Sequence, residues 1–205
     1  RYYTKDGKQL VWMSERDNWN HLYLYDVPSG KVTRQITKGD WCVRQVLKVD
    51  EPNRMIYFSA CGVDKDEDPY LVHYYRIGFD GKGMTCLTPE KAQHQAVFSS
   101  DYHYLVDTYS TVDQAPVTVL RDARSGEQIK VLEKADISDL LAKGWKAPVV
   151  FKAKGRDGKT DMWGIIQRPV NFDPAKKYRY IVKLVGTFTE ENQETGRTST
   201  VTSEG

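Results

Sequence analysis

The stretch WMSERDNWNHLYLYD, residues 12–26, decides the fold because it joins two strand-like runs through a polar turn. Leucine and tyrosine alternate over residues 22–25, which is the period of two that a β-strand imposes. The residues between the two runs, 15–18, are Glu, Arg, Asp and Asn, which are too polar to bury and include good turn formers. We therefore predict a β-hairpin here.

The layout of this hairpin recurs along the chain. The pair Ile36-Thr37 returns as Leu87-Thr88, and turn glycines stand at matching points as Gly30, Gly81 and Gly126. This spacing is close to the roughly 40–50 residues of a four-stranded propeller blade. We predict a mainly β fold with about three four-stranded antiparallel blades over residues 1–133. A β-sandwich of evenly spaced hairpins is the alternative that the pattern leaves open.

The pattern changes after residue 133. Residues 134–146 are predicted to be a connector with a short helix, which Asp136 would N-cap and Gly144 would end. Residues 147–186 begin with a new hairpin and continue to a strand over 180–185, so we predict that a second domain starts there. Residues 187–205 are rich in Thr, Ser and Glu and are predicted to be disordered.

The composition excludes some classes of protein. The net charge is +2 with both signs interspersed, and no Lys/Arg cluster indicates a nucleic-acid interface. No apolar run approaches the roughly 18 residues of a membrane-spanning helix. The three cysteines, Cys42, Cys61 and Cys86, lack metal-ligand spacing and are predicted to be free, mostly buried thiols. A Cys42–Cys61 disulfide is the alternative.

The polar and aromatic residues of the first hairpin have structural interpretations. His21 could act as a base or a ligand, but we favour a hydrogen-bonded histidine between strands. Glu15 and Asp17 flank Arg16, and carboxylates placed this way on a turn typically pair with the nearby arginine. The tryptophans are interpreted as packing residues rather than as a carbohydrate platform: Trp12, Trp19, Trp41, Trp145 and Trp163.

The acidic residues further along receive similar interpretations. Residues 64–68, DKDED, lack the ladder of a calcium loop and are predicted to form a solvated loop. Asp107 and Ser110 imitate part of a catalytic triad, but no histidine has a defined sequence relation to them. We therefore predict no catalytic, cofactor-binding or metal-ligating residue in this chain, and no cofactor.

Residues 12–26 also resemble a family signature, W-x-S-E-R-D-x-W-x-H-L-Y-x-Y-D, found in bacterial dipeptidyl peptidase IV-like enzymes of the prolyl oligopeptidase family. Residues 36–43 are similar to the family's L-T-x-G-x-W-x-V strand, and residues 98–110 to its F-S-x-D and V-D-T-Y-S elements. Residues 144–178 resemble its junction into the peptidase domain. The resemblance covers roughly residues 1–185. It implies the last three blades of an eight-bladed propeller, followed by the first hairpin and strand of an α/β-hydrolase domain.

The function implied by this resemblance is that of a serine exopeptidase, which removes N-terminal Xaa-Pro or Xaa-Ala dipeptides. The chain would be a fragment that supplies propeller gating and scaffold, because it contains no G-x-S-x-G nucleophile motif. Its position matching the family's oxyanion tyrosine holds Val185. On its own we expect it to be inactive. A non-catalytic binding module or degenerate remnant, and a relative such as an acylaminoacyl peptidase, are the alternatives.

The resemblance also implies partners and a compartment. A peptide would be the substrate of the full-length enzyme, and a homodimer is expected by analogy with the family. A periplasmic or secreted location follows from the same analogy.

Overall fold

The computed structural model describes residues 1–178, which are built mainly of antiparallel strands. The strands and the one helix of these residues run in chain order as β1 Tyr2–Tyr3, β2 Gln9–Ser14, β3 His21–Asp26, β4 Lys31–Gln35, β5 Cys42–Asp50, β6 Met55–Cys61, β7 Val72–Gly78, β8 Thr85–Cys86, β9 Gln93–Phe98, β10 Tyr104–Ser110, β11 Val117–Asp122, β12 Gln128–Lys134, α1 Ser138–Ala142, β13 Val149–Lys154 and β14 Asp161–Ile166.

Strands that follow one another in sequence are neighbours in space. Strands β1–β4, β5–β8 and β9–β12 each form a four-stranded antiparallel meander, here called the first, second and third blade. Strands β13 and β14 form a separate two-stranded hairpin. The predicted mainly β fold with three four-stranded units is confirmed.

The apolar core lies between blades rather than within one sheet. The larger cluster joins the first and second blades, where Leu22 and Leu24 of β3 meet Ile56 and Phe58 of β6. A smaller cluster joins the second and third blades around Tyr57 and other residues of both blades. Successive side chains of a β-strand point to opposite faces of the sheet, and the inner residues of β6 are all buried. This strand is therefore covered on both sides.

The residues that recur along the sequence lie where one blade contacts the next. A Cβ added to Gly81 would lie 2.9 Å from the carbonyl oxygen of Ile36 in the preceding blade. A Cβ added to Gly126 would lie 2.7 Å from the Cα of Leu87, which is the matching residue of the second blade. Both glycines also have positive φ angles, 73° and 78°. The turn of one blade therefore packs directly on the closing strand of the blade before it.

The threonine that follows the closing strand of the first and of the second blade binds within its own blade. Thr37 Oγ1 accepts a hydrogen bond from the Leu22 backbone at 2.9 Å, and Thr88 Oγ1 accepts one from the Tyr74 backbone at 3.0 Å. Each threonine thus continues the ladder where the fourth strand has ended.

The connector helix is shorter than the sequence pattern predicts. It covers Ser138–Ala142, and its N-cap position is Ile137, which makes no side-chain capping bond. The prediction of an Asp136 cap is therefore wrong: Asp136 lies one residue before the N-cap, and its Oδ1 accepts a bond from the Ser138 backbone at 2.9 Å. No helix within residues 1–178 is long and apolar enough to cross a membrane.

Residues 1–168 form one compact unit, and a second unit begins at Pro169. Within the second unit, the backbone of Asp173 donates to the Tyr178 hydroxyl at 2.8 Å. The predicted domain boundaries at residues 133, 146 and 186 stay predictions. The predicted strand over 180–185, Val185 and the predicted disordered segment 187–205 lie outside the described residues.

Candidate functional site

A group of buried and half-buried ionisable side chains lies where the second and third blades meet, and it is here called the interblade polar cluster. Its members are Glu67, His73, Glu90, His94, Asp107 and Arg121. The cluster thus contains three carboxylates, one guanidinium and two imidazoles. Because burying a charge is costly unless it is paired, the partners of these groups determine what the cluster can do.

Asp107 is the centre of the cluster. Its side chain is fully buried, and His94 Nδ1 lies 2.9 Å from Oδ1. Arg121 Nε donates to Oδ2 at 2.9 Å. The strand period puts Asp107 on the same face of β10 as buried Leu105, and Arg121 on the same face of β11 as buried Val119. A carboxylate at a core position is therefore contacted by polar side chains from both neighbouring strands.

Arg121 connects Asp107 to Glu90. Its Nη2 donates to Glu90 Oε2, and its Nη1 donates to the Gly126 carbonyl oxygen at 3.2 Å. Burial disfavours the charged guanidinium, but the hydrogen bonds to Glu90 and Asp107 outweigh that effect and raise the pKa of Arg121. The side chain therefore stays a cation and ties β11 to the segment that precedes β9.

Ligand atoms of Glu90, His94 and Asp107 lie within 4.8 Å of one another, which is close enough for a metal site. The positive charge at this position is already supplied by Arg121, which bonds to both carboxylates. The second ring nitrogen of His94, Nε2, lies 2.8 Å from the Glu90 carbonyl oxygen. The arrangement fits a protein cation better than a metal ion.

The geometry also shows which chemistry the Asp107–His94 pair cannot perform. A histidine base needs one ring nitrogen directed at the nucleophile while the other is held by the carboxylate. Both nitrogens of His94 are engaged, one by Asp107 and the other by the Glu90 carbonyl. The structure gives Asp107 a histidine partner that sequence spacing does not indicate, and the interpretation of Asp107 as a structural residue agrees with this geometry.

Glu67 and His73 extend the cluster into the second blade. Glu67 Oε1 lies 2.9 Å from His73 Nε2, although the alignment is too poor for a hydrogen bond. His73 Nδ1 lies 2.6 Å from the Thr88 carbonyl oxygen, and the His73 ring centroid lies 4.9 Å from that of His94. The prediction of a wholly solvated acidic loop over residues 64–68 is therefore wrong for Glu67, which turns inward because an imidazole is available there.

The environment raises the pKa of both members of this pair. Burial raises the pKa of Glu67, and the nearby His73 opposes that rise only in part. Burial acts to lower the pKa of His73, but the hydrogen bonds to Cys86 and Thr88 and the charge of Glu67 outweigh it, so the pKa is raised. The pair therefore holds protons more strongly than the same groups do in water.

His21 occupies the position in the first blade that corresponds to His73 in the second blade. It is fully buried, with Nδ1 3.0 Å from Thr37 Oγ1 and Nε2 2.8 Å from the Gly39 carbonyl oxygen. Its ring meets Trp41 edge-on at a centroid distance of 4.8 Å. The structure agrees with the interpretation of His21 as a hydrogen-bonded structural residue.

The turn residues of the first hairpin pair differently from the sequence expectation. Arg16 lies over the Tyr23 ring, 4.3 Å from its centroid, and donates to the Tyr25 hydroxyl. Asp17 accepts bonds from Gln35 Nε2 at 2.7 Å and from the Tyr23 hydroxyl at 3.2 Å. The expected pairing of the carboxylates with Arg16 is replaced, at Asp17, by bonds to residues of β3 and β4, and the turn is oriented by aromatic contacts.

The tryptophans and cysteines considered in the sequence lie in different environments. Trp41 is buried in the core, whereas Trp12 and Trp19 are exposed on the first blade. The three cysteines are free in the structure, and they are half-buried rather than mostly buried as predicted.

A family model matches residues 1–116, and its description is the N-terminal region of dipeptidyl peptidase IV. The dipeptidyl peptidase 4 of Arthroderma otae is 32% identical over 181 residues, which are 84% of this chain and 22% of that protein. The dipeptidyl peptidase 4 of Trichophyton rubrum is 32% identical over 179 residues, with the same coverage of this chain.

The crystal structure of Porphyromonas gingivalis dipeptidyl peptidase 4 is similar with a TM-score of 0.67 at 26% identity. That match covers 86% of this chain and 24% of the solved chain. The chain thus spans about a quarter of the length of the relatives that it matches.

Proposed function

The chain belongs to the dipeptidyl peptidase IV family, and from that membership we propose that it is the scaffold portion of a serine exopeptidase that removes N-terminal Xaa-Pro or Xaa-Ala dipeptides. In this proposal the three blades form part of the propeller wall that admits peptides, and the β13–β14 hairpin begins the peptidase domain. The chemistry is supplied by segments of the enzyme that this sequence does not contain.

The observation that carries the proposal is the match of the blades to dipeptidyl peptidase 4 in both sequence and structure, over 84% and 86% of the chain. The interblade polar cluster supports the same role. Its hydrogen bonds join side chains of the third blade to one another and to the segment that precedes β9, so these groups are engaged by the protein rather than directed at a substrate. We further propose that the assembled enzyme acts on peptides.

The experiment uses an antibody against this chain to capture the native polypeptide from the source cells. We expect a captured band several times heavier than 23.6 kDa, the mass of this chain. The captured material should hydrolyse a Gly-Pro-p-nitroanilide substrate, and a serine-directed fluorophosphonate should abolish that hydrolysis. The purified 205-residue chain serves as the matched control and should show no turnover.

Two outcomes would contradict the proposal. A native band near 23.6 kDa without activity would favour the alternative, a non-catalytic binding module. Fluorophosphonate-sensitive turnover by the 205-residue chain itself would show that this region carries chemistry.

A further inference from the structure

Two of the three cysteines stand directly opposite each other across an antiparallel ladder. Cys42 is the first residue of β5, Cys61 is the last residue of β6, and the two are Cα partners in the register. Opposed residues of an antiparallel pair point to the same face of the sheet, with Cβ atoms about 4.5–5.5 Å apart. Their Cα atoms are about 4.5 or 5.5 Å apart, depending on the pair type.

That spacing suits a disulfide. The bond typically joins residues whose Cα atoms are about 4.4–6.8 Å apart, and both pair types of the ladder fall within this range. The register shift next to the pair, between Val43 and Gln45, adds local freedom to the backbone of β5. The third cysteine, Cys86, lies in β8 and donates its thiol to the Thr88 carbonyl oxygen at 3.4 Å.

The surroundings of the pair allow a small oxidant to react. Both thiols are half-buried rather than enclosed. Burial raises the pKa of Cys61, and the nearby Arg44, which is exposed, acts in the opposite direction by favouring the thiolate. A thiol in this position reacts more slowly than a free surface cysteine but remains accessible.

We propose that Cys42 and Cys61 are a disulfide-forming site that reacts with a low-molecular-weight disulfide such as oxidised glutathione. The thiolate of one cysteine attacks a sulfur of oxidised glutathione, which forms a mixed disulfide and releases one glutathione thiolate. The second cysteine then attacks the mixed disulfide, which forms the Cys42–Cys61 bond and releases the second glutathione thiolate. Two protein thiols are oxidised and one glutathione disulfide is reduced, so the step balances.

The bond would act on the loop that carries Glu67. It would close the two-stranded β5–β6 segment at its open end, immediately before the loop that runs from Gly62 to β7. A Cβ on Gly62 would lie 3.8 Å from Pro69 and from Trp41, which is an ordinary van der Waals distance, so these two residues line the base of the loop. Fixing Cys61 would hold the base of the loop and with it the position from which Glu67 reaches His73.

The test treats the folded 205-residue chain with a glutathione buffer and then alkylates the remaining thiols before peptide mass spectrometry. We expect one peptide pair linked through Cys42 and Cys61, with Cys86 recovered as an alkylated thiol. The variant Cys86→Ser should give the same linkage, whereas Cys42→Ser should stop at a glutathione adduct on Cys61. The oxidised chain should melt roughly 5–10 °C higher than the reduced chain.

Three results would overturn the proposal. The first is a folded chain whose Cys42 and Cys61 stay fully alkylatable in oxidised buffer. The second is stable glutathione adducts on both residues without the linkage between them. The third is a linkage that involves Cys86 to the same extent.

Discussion

Removing the carboxylate of Asp107 tests how strongly the buried charges of the interblade polar cluster stabilise the third blade. The variant Asp107→Ala leaves Arg121 and His94 buried, and each loses a partner that lies 2.9 Å away in the wild type. Breaking a buried ion pair by removing one member typically costs about 3–5 kcal/mol, because the other charge stays buried and uncompensated. We expect Asp107→Ala to lower the free energy of unfolding by about this amount.

The assay is urea unfolding of the 205-residue chain followed by tryptophan fluorescence. With a denaturant slope of about 2 kcal/mol per molar urea, the unfolding midpoint should fall by roughly 1.5–2.5 M. The variant Asp101→Ala is a matched control, since Asp101 lies 3.1 Å from His103 but both side chains are about half exposed. Exposed ion pairs contribute little to stability, so Asp101→Ala, which also removes exposed hydrogen bonds from Ser99 and the His103 backbone, should lower the midpoint much less than Asp107→Ala.

A double-mutant cycle separates the interaction energy between Asp107 and Arg121 from the cost of each substitution by itself. Arg121→Met alone should be strongly destabilising, since it strands Asp107 beside His94. The cycle uses Asp107→Leu as its other single variant. Combined with Arg121→Met, it removes both charges and leaves Glu90, whose side chain is 33% exposed and can be hydrated, while His94 lacks its Asp107 bond as it does in Asp107→Leu alone. We expect a coupling energy above about 2 kcal/mol. The reasoning is refuted if the double variant costs as much as the two single variants together, or if Asp107→Ala behaves like Asp101→Ala.

Two further predictions concern the turn glycines and the Glu67–His73 pair. Gly126→Ala should destabilise the chain by at least about 1 kcal/mol more than Gly30→Ala, because both have positive φ but only Gly126 abuts the preceding blade; equal losses in urea unfolding would contradict this. The pKa of folded His73 is raised above 6.5, so its stabilisation is complete below about pH 6.5 and is lost as the pH rises through the folded pKa. A melting-temperature series over pH 6–8.5 should fall more steeply for the wild type than for His73→Gln, and parallel curves would show that another group is responsible.

Much of the fold was predictable because its signals are local. The alternation of apolar and polar residues requires only neighbouring residues, and the positions of Gly30, Gly81 and Gly126 mark the turns of a repeat. The closeness of Gly126 to Leu87 was not predictable in detail, since it depends on how one blade packs on another. The helix start was mispredicted because Asp136 satisfies an earlier backbone group than the one the helix needs.

The cluster was missed for a different reason. His94 and Asp107 are 13 residues apart, and Arg121 and Glu90 are 31 apart, so sequence spacing alone does not bring them together. A signal was nevertheless present: Asp107 and Arg121 each lie two positions from an apolar residue on the buried face of a strand. A charged residue at such a position requires a partner, and the search for that partner would have pointed to His94.

The two junctions between blades are held in different ways, and this difference explains why the second one contains the charges. The buried apolar cluster between the first and second blades has thirteen residues, whereas that between the second and third blades has four. Apolar burial is non-directional, so a small cluster leaves the relative orientation of two sheets less restricted. Hydrogen bonds from Arg121 to Asp107, Glu90 and Gly126 are directional and span the third blade and the segment that leads into it from the second blade. Because these bonds are directional, we expect the cluster to restrict the orientation of the third blade relative to this segment, where apolar packing is thin.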